Sequence, residues 1–328
     1  PQGRVLVTFI ERRKFPLLLE RVPKAGEGKI RRNMKLDEIK ITSGENAYQT
    51  ASLEANDKTI AYETSKNLSY TDIITIARGL DVISEFFDVN AVVTASGVGI
   101  CAVALGKSLE DAMLKVMDSN PVDFVNSIVL VSTEVDSDIA KMLKSSNKIV
   151  APRFTKNAIE ILERHEVCYV TINTPLKDYK KYLSNDVKVT PLGTLTQTPN
   201  LSELTKDSFK IMSKVKPTVE QIEDAVFAWK IAKHASSQAI VVAKDLKTAA
   251  ISQGLHSASV EFALDYSCDM SKDAVLASDM PVTIHDINVA AQGRIGLVIL
   301  PSASADIITT VDKYNMALIT TGMTNILY

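Results

Sequence analysis

Four histidines are the side chains best suited to proton transfer near neutral pH, because an unperturbed imidazole titrates in that range. His234 lies at the end of a predicted helix, where its charge would stabilise the last carbonyl groups, and His165 falls at a charged helix end. His256 and His285 stand in turns, where either could serve as a general base. For each of the four, a structural or solvated role is the simpler interpretation.

The other reactive residue types form no recognisable site. Cys101, Cys168 and Cys268 lie far apart, and the lack of a Cys-x-x-Cys pair argues against a disulfide framework or a zinc site. The sequence also contains no Gly-rich phosphate loop, no HExxH and no deaminase zinc signature. We therefore predict no metal, and Lys66 and Lys233 are the remaining candidates for contact with an anion.

Short apolar strands that alternate with amphipathic helices must position these residues. Ser69 precedes one apolar stripe with helical spacing, and the clearest helix starts after Pro217, where Thr218 and Gln221 form a capping box. This alternation predicts an α/β protein. Strands are predicted at 91–93, 127–131, 148–151, 168–171, 239–243, 248–251, 297–300 and 317–319.

Composition excludes several classes of function. The chain of 328 residues is 46% apolar and 23% charged, and its net charge of -2 gives no global preference for nucleic acid or membrane. No apolar run approaches the roughly 18 residues of a membrane-spanning helix, and no signal-peptide pattern is present. We therefore expect a cytoplasmic protein without membrane contact.

Charge and periodicity divide the sequence into four segments. Residues 1–40 carry eleven Lys or Arg against five acids, a local charge of +6, and such a basic arm could contact RNA or simply be solvated. Residues 172–216 are polar with weak periodicity and are predicted to connect two lobes, at 41–171 and 217–328. The lobes share an order of helix, strand, polar turn, small-residue segment and helix, which by itself is weak support for duplication.

Several blocks of the sequence resemble those of the AICAR-transformylase family, in the order in which the family has them. Residues 227–241 (FAWKIAKHASSQAIV) are similar to its FAWKxxKHxxSNAI signature, and residues 44–49 (GENAYQ) to its GENPHQ. Residues 66–70 (KNLSY) resemble its GKxLSYNN, and residues 149–154 (IVAPRF) its IIAPxF. The resemblance covers residues 43–328, which makes coincidence implausible.

The resemblance implies two duplicated cytidine-deaminase-like lobes, each with three α/β/α layers, and a homodimer with active sites at the subunit interface. In the family, a formyl group passes from 10-formyltetrahydrofolate to the 5-amino group of AICAR during purine biosynthesis. That amine is a poor nucleophile, so a base must remove its proton while an oxyanion forms on the formyl carbon. The family supplies a Lys-His pair and a later Asn. We expect no cyclohydrolase domain in this chain.

The residues that would carry this chemistry differ here. The family's Lys-His aligns with Ser96 and Gly97, neither of which is an effective base at neutral pH. Its later Asn aligns with Gln238, a longer amide that reaches a different place. Other ligand-facing segments have changed as well: the Arg-Tyr pair, GxGQxSR and RHFRH become 42–43 (TS), 252–258 (SQGLHSA) and 324–328 (TNILY).

Four polar residues match family blocks and are the predicted substrate-binding residues: Asn46, Lys66, Ser69 and Asp279. Asp279 could instead only order a turn. Loss of a positioned base typically costs ~10²–10⁴-fold in rate, and several such losses leave little of the reaction. We therefore predict a degenerate family member that acts as a structural or interaction subunit. The alternative is an active formyltransferase with a remodelled site, which would use 10-formyltetrahydrofolate and AICAR.

Overall fold

The computed structural model describes residues 30–31, 38–41, 43–97, 99–204, 208–254 and 258–328. The first 29 residues of the predicted basic arm, together with 32–37, lie outside the described residues. So do Thr42 and His256, which the sequence singles out.

Strands in the described part of the chain are short, and the central ones consist mainly of buried apolar residues, as expected for strands covered by helices on both faces. They are β1 (Ile30–Arg31), β2 (Glu38–Ile41), β3 (Ala51–Glu54), β4 (Tyr62–Thr64), β5 (Asn90–Ser96), β6 (Gly99–Gly106), β7 (Ile128–Val131), β8 (Lys148–Ala151), β9 (Cys168–Ile172), β10 (Asp186–Thr190), β11 (Gly193–Gln197), β12 (Lys210–Ile211), β13 (Ile240–Lys244), β14 (Lys247–Ser252), β15 (Val275–Ser278), β16 (Leu297–Leu300) and β17 (Ala317–Thr320).

The helices alternate with these strands. They are α1 (Tyr70–Ile83), α2 (Leu109–Ser119), α3 (Pro121–Phe124), α4 (Ser137–Met142), α5 (Lys156–Arg164), α6 (Val219–Ala232), α7 (Ser259–Ser267), α8 (Ile284–Gln292) and α9 (Ala305–Lys313). Short 3₁₀ helices occur at Ser84–Phe86, Leu176–Tyr182 and Cys268–Ser271.

Capping boxes begin three of the helices. At α1, the Ser69 side chain accepts from the Asp72 amide and the Asp72 side chain accepts from the Ser69 amide. The same exchange joins Thr218 to Gln221 at α6, which confirms the capping box predicted there. These reciprocal bonds satisfy amides that would otherwise have no partner in the first turn, so they fix where each helix starts.

Thirteen of the strands form one mixed sheet in the order β1-β4-β9-β8-β7-β5-β6-β14-β13-β15-β16-β17-β12. β5 and β6 form an antiparallel hairpin, followed outward by β7, with β8 and β9 parallel to it. β13 and β14 form a second hairpin, followed by β15 and the parallel β16 and β17. The strand order on one side of the centre therefore repeats on the other.

Helices cover both faces of the sheet, which gives three layers. Alternate residues of one strand enter different clusters: Val93 packs with α1 and α6 on one face, and Val92 packs with α2 on the other. The cluster that contains α1 and α6 runs across both halves, whereas the opposite face has a separate cluster in each half. The α/β class is thus confirmed.

β6 and β14 join the two halves at the centre of the sheet. Ala104 opposes Lys247, and the Leu105 amide donates to the carbonyl oxygen of Leu246 at 2.9 Å. The Thr248 hydroxyl adds a bond that the Val103 amide donates to it at 3.0 Å. The sheet is consequently continuous across the two predicted lobes.

The eight strands predicted from sequence are all present, whereas the pattern does not predict the other nine of the seventeen described strands, β6 and β15 among them. β6 is rich in small residues of low strand propensity. The structure supplies the reason, because α2 packs so closely that a Cβ on Gly106 would lie 2.4 Å from the Ala112 amide nitrogen. The small residue at this position therefore allows α2 to pack closely on β6 and does not indicate a loop.

Two strands of the predicted connector form a separate hairpin. β10 and β11 pair with each other outside the large sheet, and their side chains are almost all exposed. Leu192, at the turn, is fully exposed. Within the described residues, no helix is long and apolar enough to cross a membrane.

Candidate functional site

The β5–β6 turn, the start of β13 and the end of β14 meet at one edge of the large sheet. Ile240 opposes Ser252 in the β13–β14 ladder. The Gln253 side chain then crosses to the β5–β6 hairpin, where its Nε2 donates to the carbonyl oxygen of Ile100 at 3.0 Å. The structure thereby brings the three predicted catalytic positions, 96, 97 and 238, to the same edge, which we call the catalytic edge.

The family's Lys-His position is an exposed turn in this chain. Ser96 and Gly97 are both exposed, and Gly97 has a φ of +51°, a left-handed conformation that glycine adopts readily. A Cβ placed on Gly97 would have no atom within 4 Å. The turn therefore has room for a larger side chain, and its lack of one is not imposed by crowding.

Cys101 is the nearest titratable side chain along this hairpin. Burial and the negative charge of Asp123 raise the pKa of its thiol to about 12, although a backbone hydrogen bond from Ser96 opposes the shift. The thiol therefore stays protonated at neutral pH, and Cys101 is a poor candidate for a nucleophile or base.

Gln238 lies directly before β13. Its backbone carbonyl accepts from the Ser259 hydroxyl at 3.4 Å, and its side chain is half-buried. Nearby, the Gly254 amide donates to the carbonyl oxygen of Ser236 at 3.0 Å. The loop that begins at Gly254 therefore starts at the catalytic edge, two residues before His256.

Asp279 is fully buried beside this edge and joins three segments of the chain. Its carboxylate accepts from the Ser237 hydroxyl and, at 2.9 Å, from the Ala239 amide. The Ser237 hydroxyl in turn accepts from the Leu327 amide at 2.9 Å. Burial raises the pKa of Asp279, and these two hydrogen bonds only partly offset the shift. Asp279 thus holds the start of β13 against the C-terminal segment.

The three other predicted substrate-binding residues lie in the first half of the chain, and each has a partner within the protein. The Asn46 side chain donates to Gln49 Oε1 at 3.0 Å within an exposed turn. Lys66 Nζ donates to the carbonyl oxygen of Glu166 at 2.7 Å. Ser69 caps α1. These contacts give each residue a structural role.

The described histidines are held by acids or end a helix. His285 Nε2 lies 2.8 Å from Glu261 Oε1 on the surface, and His165 ends α5. The sequence predicts that His234 stabilises the carbonyl groups at the end of α6. In the structure its ring instead contacts Glu85, with Nε2 lying 3.1 Å from Glu85 Oε1. His234 is therefore part of a charged cluster between α1 and α6.

Glu85 is the centre of this cluster. Its carboxylate lies 3.0 Å from Lys233 Nζ and 3.3 Å from Lys180 Nζ, in addition to the His234 contact. Burial alone would raise the pKa of Glu85, but the hydrogen bond from His234 and the charge of Lys233 lower it well below its usual range. Glu85 is therefore ionised at neutral pH and neutralises buried cations.

A groove of about 500 Å³ lies beside the cluster, and we call it the α1 groove. One face of α1 forms one wall, and the end of α6, the β10–β11 hairpin and the last residues of the chain form the others. Its charged or titratable lining includes Arg78, Asp81, Asp186, Lys188, Lys233 and His234. Leu327 also lines it and, through Ser237, reaches the catalytic edge.

Sequence reasoning does not predict the α1 groove as a site. Ser96, Gly97, Gln238 and the four predicted substrate-binding residues lie outside its lining, whereas Lys233, a predicted candidate for anion contact, and His234 are part of it. The available signal is the pair Arg78 and Asp81, two charged residues spaced three apart within the otherwise apolar middle of α1. On a helix this spacing places both side chains on one face.

A metal site does not emerge from the geometry. In the ranges that the structure describes, no group of three or more His, Cys, Asp or Glu side chains is arranged to hold an ion.

Comparison with known proteins identifies related sequences. The family model described as AICARFT/IMPCHase bienzyme matches residues 16–265. The bifunctional purine biosynthesis protein PurH of Acetivibrio thermocellus is 31% identical over 272 residues, which cover 79% of this chain and 52% of that protein. PurH of Caldicellulosiruptor saccharolyticus is 32% identical over 302 residues, covering 87% and 58% respectively. The chain spans about half the length of the curated relatives it matches.

Proposed function

Because the chain belongs to the AICARFT/IMPCHase bienzyme family, we propose that it is a divergent member that no longer transfers a formyl group. It serves instead as a structural or interaction subunit. The observation that supports this proposal most strongly is the exposed Ser96–Gly97 turn in the place of the family's Lys-His pair. The apolar framework around that turn is retained, whereas the groups able to move a proton are replaced.

Formyl transfer to AICAR needs a base for the amine proton and donors for the developing oxyanion. Among the groups described at the catalytic edge, the Cys101 thiol is protonated at neutral pH and the Asp279 carboxylate is buried in two hydrogen bonds. The Ser96 hydroxyl has no assisting base in the described hydrogen bonds. The groups described at the catalytic edge are therefore poorly suited to remove the amine proton.

We also propose that the two halves are duplicated cytidine-deaminase-like lobes, with the boundaries 41–171 and 217–328, the connector at 172–216, and a homodimeric assembly. The repeated strand order about the β6–β14 junction supports the duplication. The cytoplasmic location and the contact of the basic arm with RNA stay predictions from the sequence.

The alternative function is an active folate-dependent formyltransferase with a remodelled site. The observation in its favour is the hydrogen bond between Gly254 and Ser236, which starts the following loop at the catalytic edge. His256 comes two residues later in the sequence and is the candidate base. In this alternative, AICAR and 10-formyltetrahydrofolate are the substrates.

A turnover assay decides between the two functions. The full chain is incubated with AICAR and 10-formyltetrahydrofolate, and release of tetrahydrofolate is followed, with the Acetivibrio thermocellus relative measured in parallel as a test of the assay. We expect no turnover by this chain above the uncatalysed rate. Turnover that disappears in His256→Gln but persists in the surface control His285→Gln would instead establish the alternative.

A second measurement addresses the emptied turn directly. The variant Ser96→Lys with Gly97→His restores the family pair, and the space around Gly97 admits the larger side chain. Histidine is also among the residues that tolerate a left-handed backbone. The matched control is Ser96→Met with Gly97→Asn, which adds similar bulk without a base. Any gain in turnover confined to the Lys-His variant would show that the missing pair limits the reaction.

A further inference from the structure

One of the cations that line the α1 groove has no close ion pair in the described residues. Lys188 is held by Asp186 Oδ2 at 3.6 Å and by the carbonyl oxygen of Tyr328 at 2.8 Å. Lys233 is held by Glu85. By contrast, no ion pair within 4.0 Å joins Arg78 to a carboxylate in the part of the chain that the structure describes. Arg78 is therefore the cation in the lining with capacity for a further anionic partner.

The acid nearest to Arg78 along α1 is already engaged elsewhere. Asp81 Oδ1 accepts from the Tyr179 hydroxyl at 2.8 Å. Burial raises the pKa of Asp81, and the charges of His234 and Arg78 offset that shift only in part. One oxygen of the Asp81 carboxylate is thus occupied by Tyr179, and in the described residues Asp81 forms no ion pair within 4.0 Å with Arg78.

The wall of α1 around Arg78 is apolar, whereas the connector adds polar side chains on the other side of the groove: Ser184, Asp186, Gln197, Thr198 and Asn200. Ile73, Ile74 and Ala77 of α1 lie on the same wall as Arg78, and Leu183 and Ile326 contribute from the connector and the C-terminal segment. Pockets for small molecules are typically apolar with a few placed polar groups, and a volume of about 500 Å³ falls within their usual range. An apolar wall with one free guanidinium matches a ligand that has an apolar body and a single anionic group.

We propose that the α1 groove binds a small organic anion whose aromatic or aliphatic body lies on α1 and whose carboxylate or phosphate contacts Arg78. Carboxylate and phosphate present the same paired oxygens to a guanidinium, so both satisfy this chemistry. The site is separate from the Ser96–Gly97 turn and does not depend on the proposed loss of formyl transfer. His234 lines the groove, so the NMR resonance of its ring should change when a ligand binds there.

Three probes of one shape test the proposal: 1-naphthyl phosphate, 1-naphthoate and the neutral 1-naphthalenemethanol. Each is titrated into the full chain by calorimetry, and the His234 ring resonance is followed by NMR, which is practicable because the chain has only four histidines. We expect at least one of the two anions to bind saturably and shift the His234 resonance, and the neutral probe to bind at least tenfold more weakly. Comparison of the two anions shows which group the site prefers.

Arg78→Gln removes the guanidinium and should weaken anion binding about 10- to 100-fold, as expected for loss of a charge-assisted hydrogen bond. The matched control is Arg153→Gln, an exposed arginine outside the groove. It should leave the affinity unchanged, and the melting temperatures of both variants show whether the fold is intact. Failure of both anions to bind would overturn the proposal. So would equal binding of the neutral probe, or an affinity that Arg78→Gln does not change.

Discussion

Glu85 shows how one buried side chain can hold several segments together. Its carboxylate meets Lys233 and His234 at the end of α6 and Lys180 of the connector. The Lys233 side chain is only 6% exposed, so it has little access to water as an alternative partner. Removing one member of such a buried group leaves the others without compensation, which costs more than the group gains when complete.

Glu85→Gln should therefore destabilise the protein by about 3–5 kcal/mol, the range found when a buried ion pair loses one partner. Urea unfolding at pH 7 measures the change. The control is Glu203→Gln, because Glu203 also binds Lys180, at 2.7 Å, but is 65% exposed. An exposed pair contributes about 0–1 kcal/mol, so this variant should be nearly neutral. Similar losses in the two variants would contradict the argument.

The same carboxylate predicts a pH dependence. The pKa of Glu85 is lower in the folded protein than its ordinary value of 4.5. A group of this kind adds stability above its unfolded pKa and loses it as the pH falls through the folded value. The free energy of unfolding of the wild type should decline below about pH 4.5 more steeply than that of Glu85→Gln. Parallel curves for the two proteins would show that Glu85 is not the group responsible.

At the scale of single residues, the sequence identifies positions better than roles. The alignment with family positions points to Ser96, Gly97 and Gln238, and the structure places all three at the catalytic edge. It cannot anticipate that His234 pairs with Glu85, since the two residues are 149 positions apart and meet only when α1 and α6 pack. Arg78 is missed for the same reason: the groove it lines is formed by segments from both halves.

Among the elements, α1 depends on a close approach to the sheet at Gly79. An added Cβ there would lie 2.3 Å from a terminal methyl carbon of Leu130 in β7. Both residues are buried, so neither can move into solvent to relieve the contact. Because interiors are close-packed, even one methyl group at this point must displace the helix or the strand.

Gly79→Ala should therefore destabilise the protein by about 1–3 kcal/mol through overpacking. Leu130→Ala removes the atoms that clash, so the double variant should be less destabilised than the sum of the two single variants. The control pair is Gly79→Ala with Val129→Ala, because Val129 enters the cluster on the opposite face of the sheet. That pair should be additive. Additivity in both cycles, measured by urea unfolding, would rule out the contact as the cause.

The alternation of helices and strands and eight of the seventeen described strands follow from the sequence because their patterns are local. Capping residues such as Thr218 fix the start of a helix, and short β-branched runs indicate strands covered on both faces. The small-residue strand β6 escapes such reasoning, since its composition is set by the approach of α2 at Gly106 rather than by strand propensity. The order of strands in the sheet is likewise a long-range property.

On the scale of the whole molecule, the two halves share both a sheet and a core. β6 and β14 pair at the centre, and one apolar cluster includes α1 and α6 on either side of that junction. The predicted connector at 172–216 therefore separates the two halves in the sequence, but hydrogen bonds and packing join them in the structure. The boundary itself stays a prediction.

Because of this shared core, thermal and urea unfolding should each show a single transition. Probes in the two halves should report the same midpoint: the single tryptophan, Trp229, for the second half and a fluorophore on an exposed engineered cysteine for the first. A change in Leu130 of the first half should shift both midpoints together. Two separated transitions would show that the halves are independent folding units.

The β10–β11 hairpin has a consequence for how the polypeptide can be opened. Its two strands are not part of the large sheet, and its turn at Leu192 is exposed to solvent. Exposed tips of this kind are where peptide bonds are most readily cleaved and where foreign sequence is best tolerated. Cleavage there would divide the chain into two fragments that remain paired through β6 and β14, so we expect the nicked protein to stay folded. The same turn is the natural place for new termini in a circularly permuted chain or for a grafted label.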